Sequence, residues 1–167
     1  MIPPRKTRTI LVRGIPIGGS APIAVQSMAA TRTQDVAATL RQVRILENAG
    51  ADLIRIAVDS DKDVEALARI REQTSARLSV DLQENYRLAE KVAPYVDKLR
   101  YNPGHLHHHE KSRSTRDKVL FLVDVAKRHG LALRIGVNAG SIAPEYKERF
   151  PHDDVGAIAQ CAIDHCA

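Results

Sequence analysis

A repeated change of period constrains this chain more than any other feature. Short apolar runs of strand length alternate with segments whose apolar residues recur every three or four positions, at roughly 20 to 35 residues per pair. From Asp35 onward, Val36, Leu40, Val43 and Leu46 stand at helical spacing, and Gly50 occupies the place of a helix C-terminal glycine. The run Asp52 to Val58 follows as a strand. Asp61 to Gln73 is helical again, with Val64, Leu67 and Ala68 in register behind an acidic start. A strand at 78–80, a short helix at 85–92 and a strand at 98–101 continue the series. A clear helix over 117–128, closed by Gly130, then precedes a strand over 131–137. A last helix is expected from Asp153 or Asp154 to about the end of the chain.

Ahead of this series, Ile10-Leu11-Val12 and Ile15-Pro16-Ile17 read as a small β-hairpin that Gly18-Gly19 closes. Ile23-Ala24-Val25 reads as the first buried strand, running into Gln26-Ser27-Met28. Strict alternation with largely apolar strands signals a parallel sheet covered by helices. The expected class is therefore α/β: a (β/α) TIM-type barrel, incomplete, of about five βα units after an N-terminal β-hairpin. A complete eight-stranded barrel takes about 250 residues, and this chain has 167. An open five-stranded sheet is the competing architecture.

Composition excludes several function classes. A hydrophobic fraction of 44% and a charged fraction of 27% are ordinary globular values. No segment approaches the ~18 consecutive apolar residues of a membrane span, and no apolar run behind the basic first residues suits a signal peptide. Two cysteines, Cys161 and Cys166, are too few for a disulfide scaffold. A cytoplasmic protein is expected, with no membrane partner.

The formal charge of +5, from 25 basic and 20 acidic residues, is compatible with nucleic acid or with a small anion. Basic groups at Arg5, Lys6 and Arg8, and at Lys111, Arg113, Arg116 and Lys118, offer phosphate contacts. Acidic residues interleave with most of them and no nucleic-acid motif accompanies them, so a solvated surface is expected and no nucleic-acid partner.

The arginines carry the chemistry. Ile54-Arg55-Ile56, Leu99-Arg100-Tyr101 and Leu133-Arg134-Ile135 place an arginine between apolar neighbours on three strands. Strand alternation then turns the apolar neighbours toward the helices and the arginines toward the other face, with Asn102 beside Arg100 and Asn138 beside Arg134. An enclosed guanidinium needs an anionic partner. Asp81 can serve one arginine, and a diphosphate suits the rest, because guanidinium forks match phosphate oxygens. Asn102-Pro103-Gly104 and Asn138-Ala139-Gly140-Ser141 follow two of the arginine strands, at the end where barrels place their sites. Their backbone N–H groups are candidates to face an oxyanion.

The segments Pro22-Ile-Ala-Val-Gln-Ser-Met28, Ala49-Gly-Ala-Asp-Leu-Ile-Arg-Ile56, Leu99-Arg-Tyr-Asn-Pro-Gly104 and Arg134-Ile-Gly-Val-Asn-Ala-Gly-Ser141 closely resemble the 4-hydroxy-3-methylbut-2-en-1-yl diphosphate synthase family. The resemblance runs from about Arg8 to the end of the chain. It implies a TIM-type barrel that binds 2-C-methyl-D-erythritol 2,4-cyclodiphosphate in the non-mevalonate isoprenoid pathway, opens its ring and removes a hydroxyl by two-electron reduction. It further implies a [4Fe–4S] cluster on a separate C-terminal iron–sulfur domain, flavodoxin or ferredoxin as electron donor, and a homodimer when full length. Arg55, Arg100, Asn102, Arg134 and Asn138 match family positions that hold the diphosphate or shape its pocket. Gln26, Ser27 and Asp81 match further family positions. No residue of the chain is proposed as catalytic.

Residues 1–167 are thus expected to be the N-terminal part of a substrate-binding barrel, lacking the cluster domain and inactive alone. Departures from the pattern include Asp81-Leu82-Gln83 where many members carry Asp-Ile-His, and Ala29-Ala30-Thr31 where Thr-Asn-Thr is commoner. Cys161 and Cys166 do not match the cluster cysteines and read as buried apolar residues. His105, His107, His108 and His109 read as a solvated loop on the pocket rim, not a metal site, with His105 nearest the substrate. Another phosphate-binding barrel, such as a pterin-binding synthase, and a non-catalytic remnant are the alternatives.

Overall fold

The structure, a computed structural model, describes residues 6–166; Arg5 of the basic N-terminal group lies outside them. Strands β1 (Ile10–Val12) and β2 (Ile15–Ile17) pair antiparallel. Arg13 and Gly14 make the turn, with φ of 43° and 83°, because a two-residue hairpin loop matches strand twist only with left-handed residues. Gly18-Gly19 therefore follows the hairpin and does not close it.

Five parallel strands form the main sheet in sequence order: β3 (Gln26–Met28), β4 (Leu53–Val58), β5 (Leu78–Leu82), β6 (Lys98–Tyr101) and β7 (Ala132–Ile135). The first strand begins later than expected. Ile23 and Val25 are 92% and 51% exposed, because β3 is a sheet edge and no described strand lies on its outer side.

Between the strands run α1 (Val36–Asn48), α2 (Asp61–Glu72), α3 (Ala89–Val92) and α4 (Thr115–His129). The α2 start is a capping box: Ser60 Oγ accepts from Asp63 N–H while Asp63 accepts from the Ser60 N–H. The α4 start falls at Thr115, two residues before the expected Asp117, because Ser114 Oγ accepts from the Asp117 N–H. The short helix at 85–92 breaks into 3₁₀ turns on both sides of α3.

Two further helices, α5 (Pro144–Arg149) and α6 (Asp154–Asp164), close the described chain. Their packing builds a small separate core of Ile142, Tyr146, Ala157 and Cys161. The α5 segment lacks an apolar stripe, and its one sequence signal is Pro144 in the first turn.

The strand register sorts every side chain to one of two faces. Ile56, Val80, Leu99 and Leu133 align across the sheet, as do Val58, Leu82, Tyr101 and Ile135. This face packs under the helices with Leu67, Ile70, Leu122 and Val125 as the main core. The opposite face carries the polar tiers. Lys98 on β6 hydrogen-bonds Gln26 on β3 although two strands separate them in the sheet. Such a contact requires the sheet to curl, so it has the wall shape of a barrel that is not closed.

Candidate anion site

Two tiers of side chains line the concave face. Met28, Arg55, Ser79, Lys98 and Ala132 align in one, and Ala57, Asp81, Arg100 and Arg134 in the next. Arg100 Nη1 donates to Asp81 Oδ1 at 2.8 Å, and its Nη2 donates to the Gly136 carbonyl at 2.9 Å. Gly136 is required for that pose, since a Cβ there would stand 1.9 Å from Arg100 Nε. Arg55 Nε lies 3.7 Å from the second Asp81 oxygen. Its closer acceptor is Met28 Sδ, at 3.0 Å from Nη2, and a thioether accepts only weakly. Asp81 thus partners two arginines, where the sequence suggested one.

Arg134 is exposed and makes no hydrogen bond or ion pair among the described residues. Lys98, which the sequence reading passed over, sits one tier below Arg100 at 6% exposure. Its ammonium has no carboxylate partner among the described residues and donates to Gln26 Oε1. Burial, then the nearby charges of Arg134 and Arg55, pulls its pKa down to about 8. The face therefore gathers four cations, Arg55, Lys98, Arg100 and Arg134, around one carboxylate, Asp81. Lys98 was legible in principle as the residue two before Arg100, hence on the same face.

Beside Arg134 and Lys98 opens a cleft of about 730 Å³ whose other walls are mainly apolar, among them Ile17, Leu53 and Ala132. Its lining residues include no carboxylate.

The loops past β6 and β7 fold alike. Asn102 Oδ1 accepts from the Gly104 N–H at 3.0 Å, and Asn138 Oδ1 from the Gly140 N–H at 3.1 Å. These amides are consumed by their own turns, so the expected row of free N–H groups does not form there. Asn102 Nδ2 donates to Ser141 Oγ at 2.7 Å, which ties one loop to the other and leaves this 4%-exposed residue a brace. Ser27 aligns with Ile54 on the helix-facing side, and is not brought to the cations; Gln26 is.

The histidine loop turns aside. His105 Nδ1 contacts the Gln83 carbonyl at 2.6 Å, and His108 pairs with Glu84. The two imidazoles stack with centroids 5.2 Å apart. Glu84 lies outside the motifs from which the site was read. Lys118, expected on the surface, is 2% exposed and donates to the carbonyls of Leu106 and His109.

Among the described residues no group of three or more His, Cys, Asp or Glu is arranged to hold a metal ion. Cys161 is buried, which pushes its thiol pKa up to about 11. Cys166, expected to be buried, is exposed because it lies past the last turn of α6. Two such thiols do not fit the ligand set of an iron–sulfur cluster. No helix is long and apolar enough to cross a membrane, among the described residues.

Residues 7–167 match the family model described as the GcpE TIM-barrel domain. The chain is 55% identical over 161 residues to a Rhodopirellula baltica protein named 4-hydroxy-3-methylbut-2-en-1-yl diphosphate synthase (flavodoxin), covering 96% of this chain and 42% of that protein. It is 42% identical over 162 residues to the Actinobacillus succinogenes protein of the same name, again covering 96% and 42%. The chain therefore spans about two fifths of the length of these curated relatives. Among solved structures, Yersinia pestis DHPS with a pterine-sulfa conjugate superposes with a TM-score of 0.55 at 14% identity, covering 96% of this chain and 61% of that one. That likeness shows the fold alone.

Proposed function

The chain belongs to the GcpE TIM-barrel domain family, and on that premise we propose that its concave face binds the diphosphate of 2-C-methyl-D-erythritol 2,4-cyclodiphosphate. It does so as the N-terminal barrel part of a 4-hydroxy-3-methylbut-2-en-1-yl diphosphate synthase. The observation that carries this reading is the excess of cations over carboxylates on one concave face. Arg134 and Arg55 keep donors to spare, and a diphosphate supplies the oxygens that Asp81 cannot.

The whole enzyme's reaction in this reading is reductive ring opening and dehydroxylation to 4-hydroxy-3-methylbut-2-enyl diphosphate. A [4Fe–4S] cluster would supply the two electrons, which come from flavodoxin or ferredoxin. This chain's own residues do not fit the cluster, so its ligands are assigned to a C-terminal domain outside the sequence. What the chain contributes is position. Arg100, held by Asp81 and Gly136, presents a fixed guanidinium edge, and Arg55 and Arg134 close on the anion from the flanking strands. Asn102 acts by bracing the loops, and Asn138, whose Oδ1 is taken by the Gly140 N–H, keeps its amide N–H for the ligand.

Titration of the chain with the cyclodiphosphate tests this. Arg134→Ala is expected to weaken binding at least about tenfold, the loss of one charge-assisted contact. Equal affinity in the chain and the variant would sink the site.

A further inference from the structure

The tier below Asp81 and Arg100 holds polar groups that the diphosphate reading leaves unused. Lys98 is buried with no carboxylate against it among the described residues. Next to it in register is Ser79, fully buried, whose hydroxyl is without any hydrogen-bond partner. An orphan hydroxyl beside a buried ammonium is costly, since both groups lose hydration without full replacement. Two such groups side by side on the concave face mark a place built for an acceptor.

We propose that Lys98 and Ser79 form the floor of the anion site, donating from below to an oxygen of the same anion that Arg55, Arg100 and Arg134 hold from the sides. The proposal rests on the anion-site reading and adds two binding residues to it. Lys98 Nζ keeps two protons beyond the one given to Gln26, and Ser79 Oγ has its proton free. A divalent oxyanion placed above them satisfies both and neutralises the repulsion within the cation group.

That repulsion gives the floor a signature. The charged groups that share the concave face with Lys98 are Arg55 on β4, Asp81 on β5, Arg100 on its own strand and Arg134 on β7, and of these Arg134 and Arg55 act on its charge. The hairpin contributes only apolar Ile10 and Ile17 to the adjoining cleft, α6 contributes Ala162, and Cys166 lines it from just past the end of that helix. With the face empty, Lys98 loses its proton near pH 8. An anion above it restores the charged form, so binding at higher pH takes up a proton.

Sulfate is the probe, because its own charge does not change between pH 7 and pH 9. Calorimetry in buffers of different ionisation enthalpy reads affinity and proton uptake together. The chain is expected to bind sulfate about tenfold more weakly at pH 9 than at pH 7, with close to one proton taken up at pH 9. Lys98→Arg keeps the charge but does not titrate, so it should bind equally at both pH values with no uptake. Ser79→Ala should weaken binding at pH 7. Sulfate binding that depends on Arg134 but shows no proton uptake would overturn the floor and leave the arginine site standing. Binding indifferent to Arg134→Ala, or no binding at all, would overturn both.

Discussion

Arg100 and Arg134 look alike in the sequence, each an arginine between apolar strand residues, and the structure gives them different burdens. Arg100 neutralises Asp81, which is 5% exposed. Removing it leaves that carboxylate with Arg55 at 3.7 Å alone. Arg100→Ala is therefore expected to destabilise the fold by about 2–4 kcal/mol, read from the denaturant midpoint. Arg134→Ala should stay within about 0.5 kcal/mol while losing anion affinity. Gly136→Ala should mimic the Arg100 loss, because the new Cβ would displace the guanidinium it lies under. Lys98 predicts a pH dependence whose sign is set by its lowered pKa. Unfolded, it binds its proton up to its ordinary value of 10.5, and folded only to about 8. The unfolded chain then holds more protons across that window, so this residue's contribution to stability rises with pH from 8 to 10.5. Cys161 works the other way, since its thiol stays neutral to about 11 in the fold but ionises near 9.0 when unfolded. The difference between the chain and Lys98→Met, followed by denaturation at each pH, isolates the lysine and should grow by up to about 3 kcal/mol.

At the scale of elements, most of the helices and strands were legible because their periods are clean. The β6 bounds Lys98–Tyr101 coincide with the sequence reading, and α1 ends just ahead of Gly50, which takes φ +89°. The misses share a cause. The α5 helix and the 3₁₀ turns flanking α3 are too short to display a period, and β3 is defined by its partner β4 and not by its own apolar run. The loops past β6 and β7 were legible as Asn-X-Gly turns. Their mutual bracing was not, because it joins residues 39 apart. Gly104→Ala tests the brace: the added Cβ would stand 1.4 Å from the Ser141 carbonyl oxygen. The expected outcome is a loss of about 2–4 kcal/mol and faster amide exchange at both Gly104 and Gly140, whereas unchanged exchange at Gly140 would show that the loops are independent.

For the molecule as a whole, the curl of the sheet turns a list of strand residues into a site. Both edges of that sheet, β3 and β7, lack a hydrogen-bonded strand on the outer side among the described residues, and Ile23 beside β3 is almost wholly exposed. Unpaired edges with apolar residues promote association. The chain is expected to associate with rising concentration in sedimentation velocity, and Ile23→Lys to reduce this without lowering the thermal midpoint. Alternation of periods determined the α/β class and the parallel sheet, and the two-residue period of the strands the face on which Arg55, Arg100 and Arg134 lie, since strand and helix geometry are local and leave a local trace. Only the tertiary structure decided which cation is neutralised, which loop amides are spent, and that Lys98 and Ser79 stand together beneath the arginines. Those outcomes depend on distances between residues far apart in the chain, and a sequence carries no direct record of such distances.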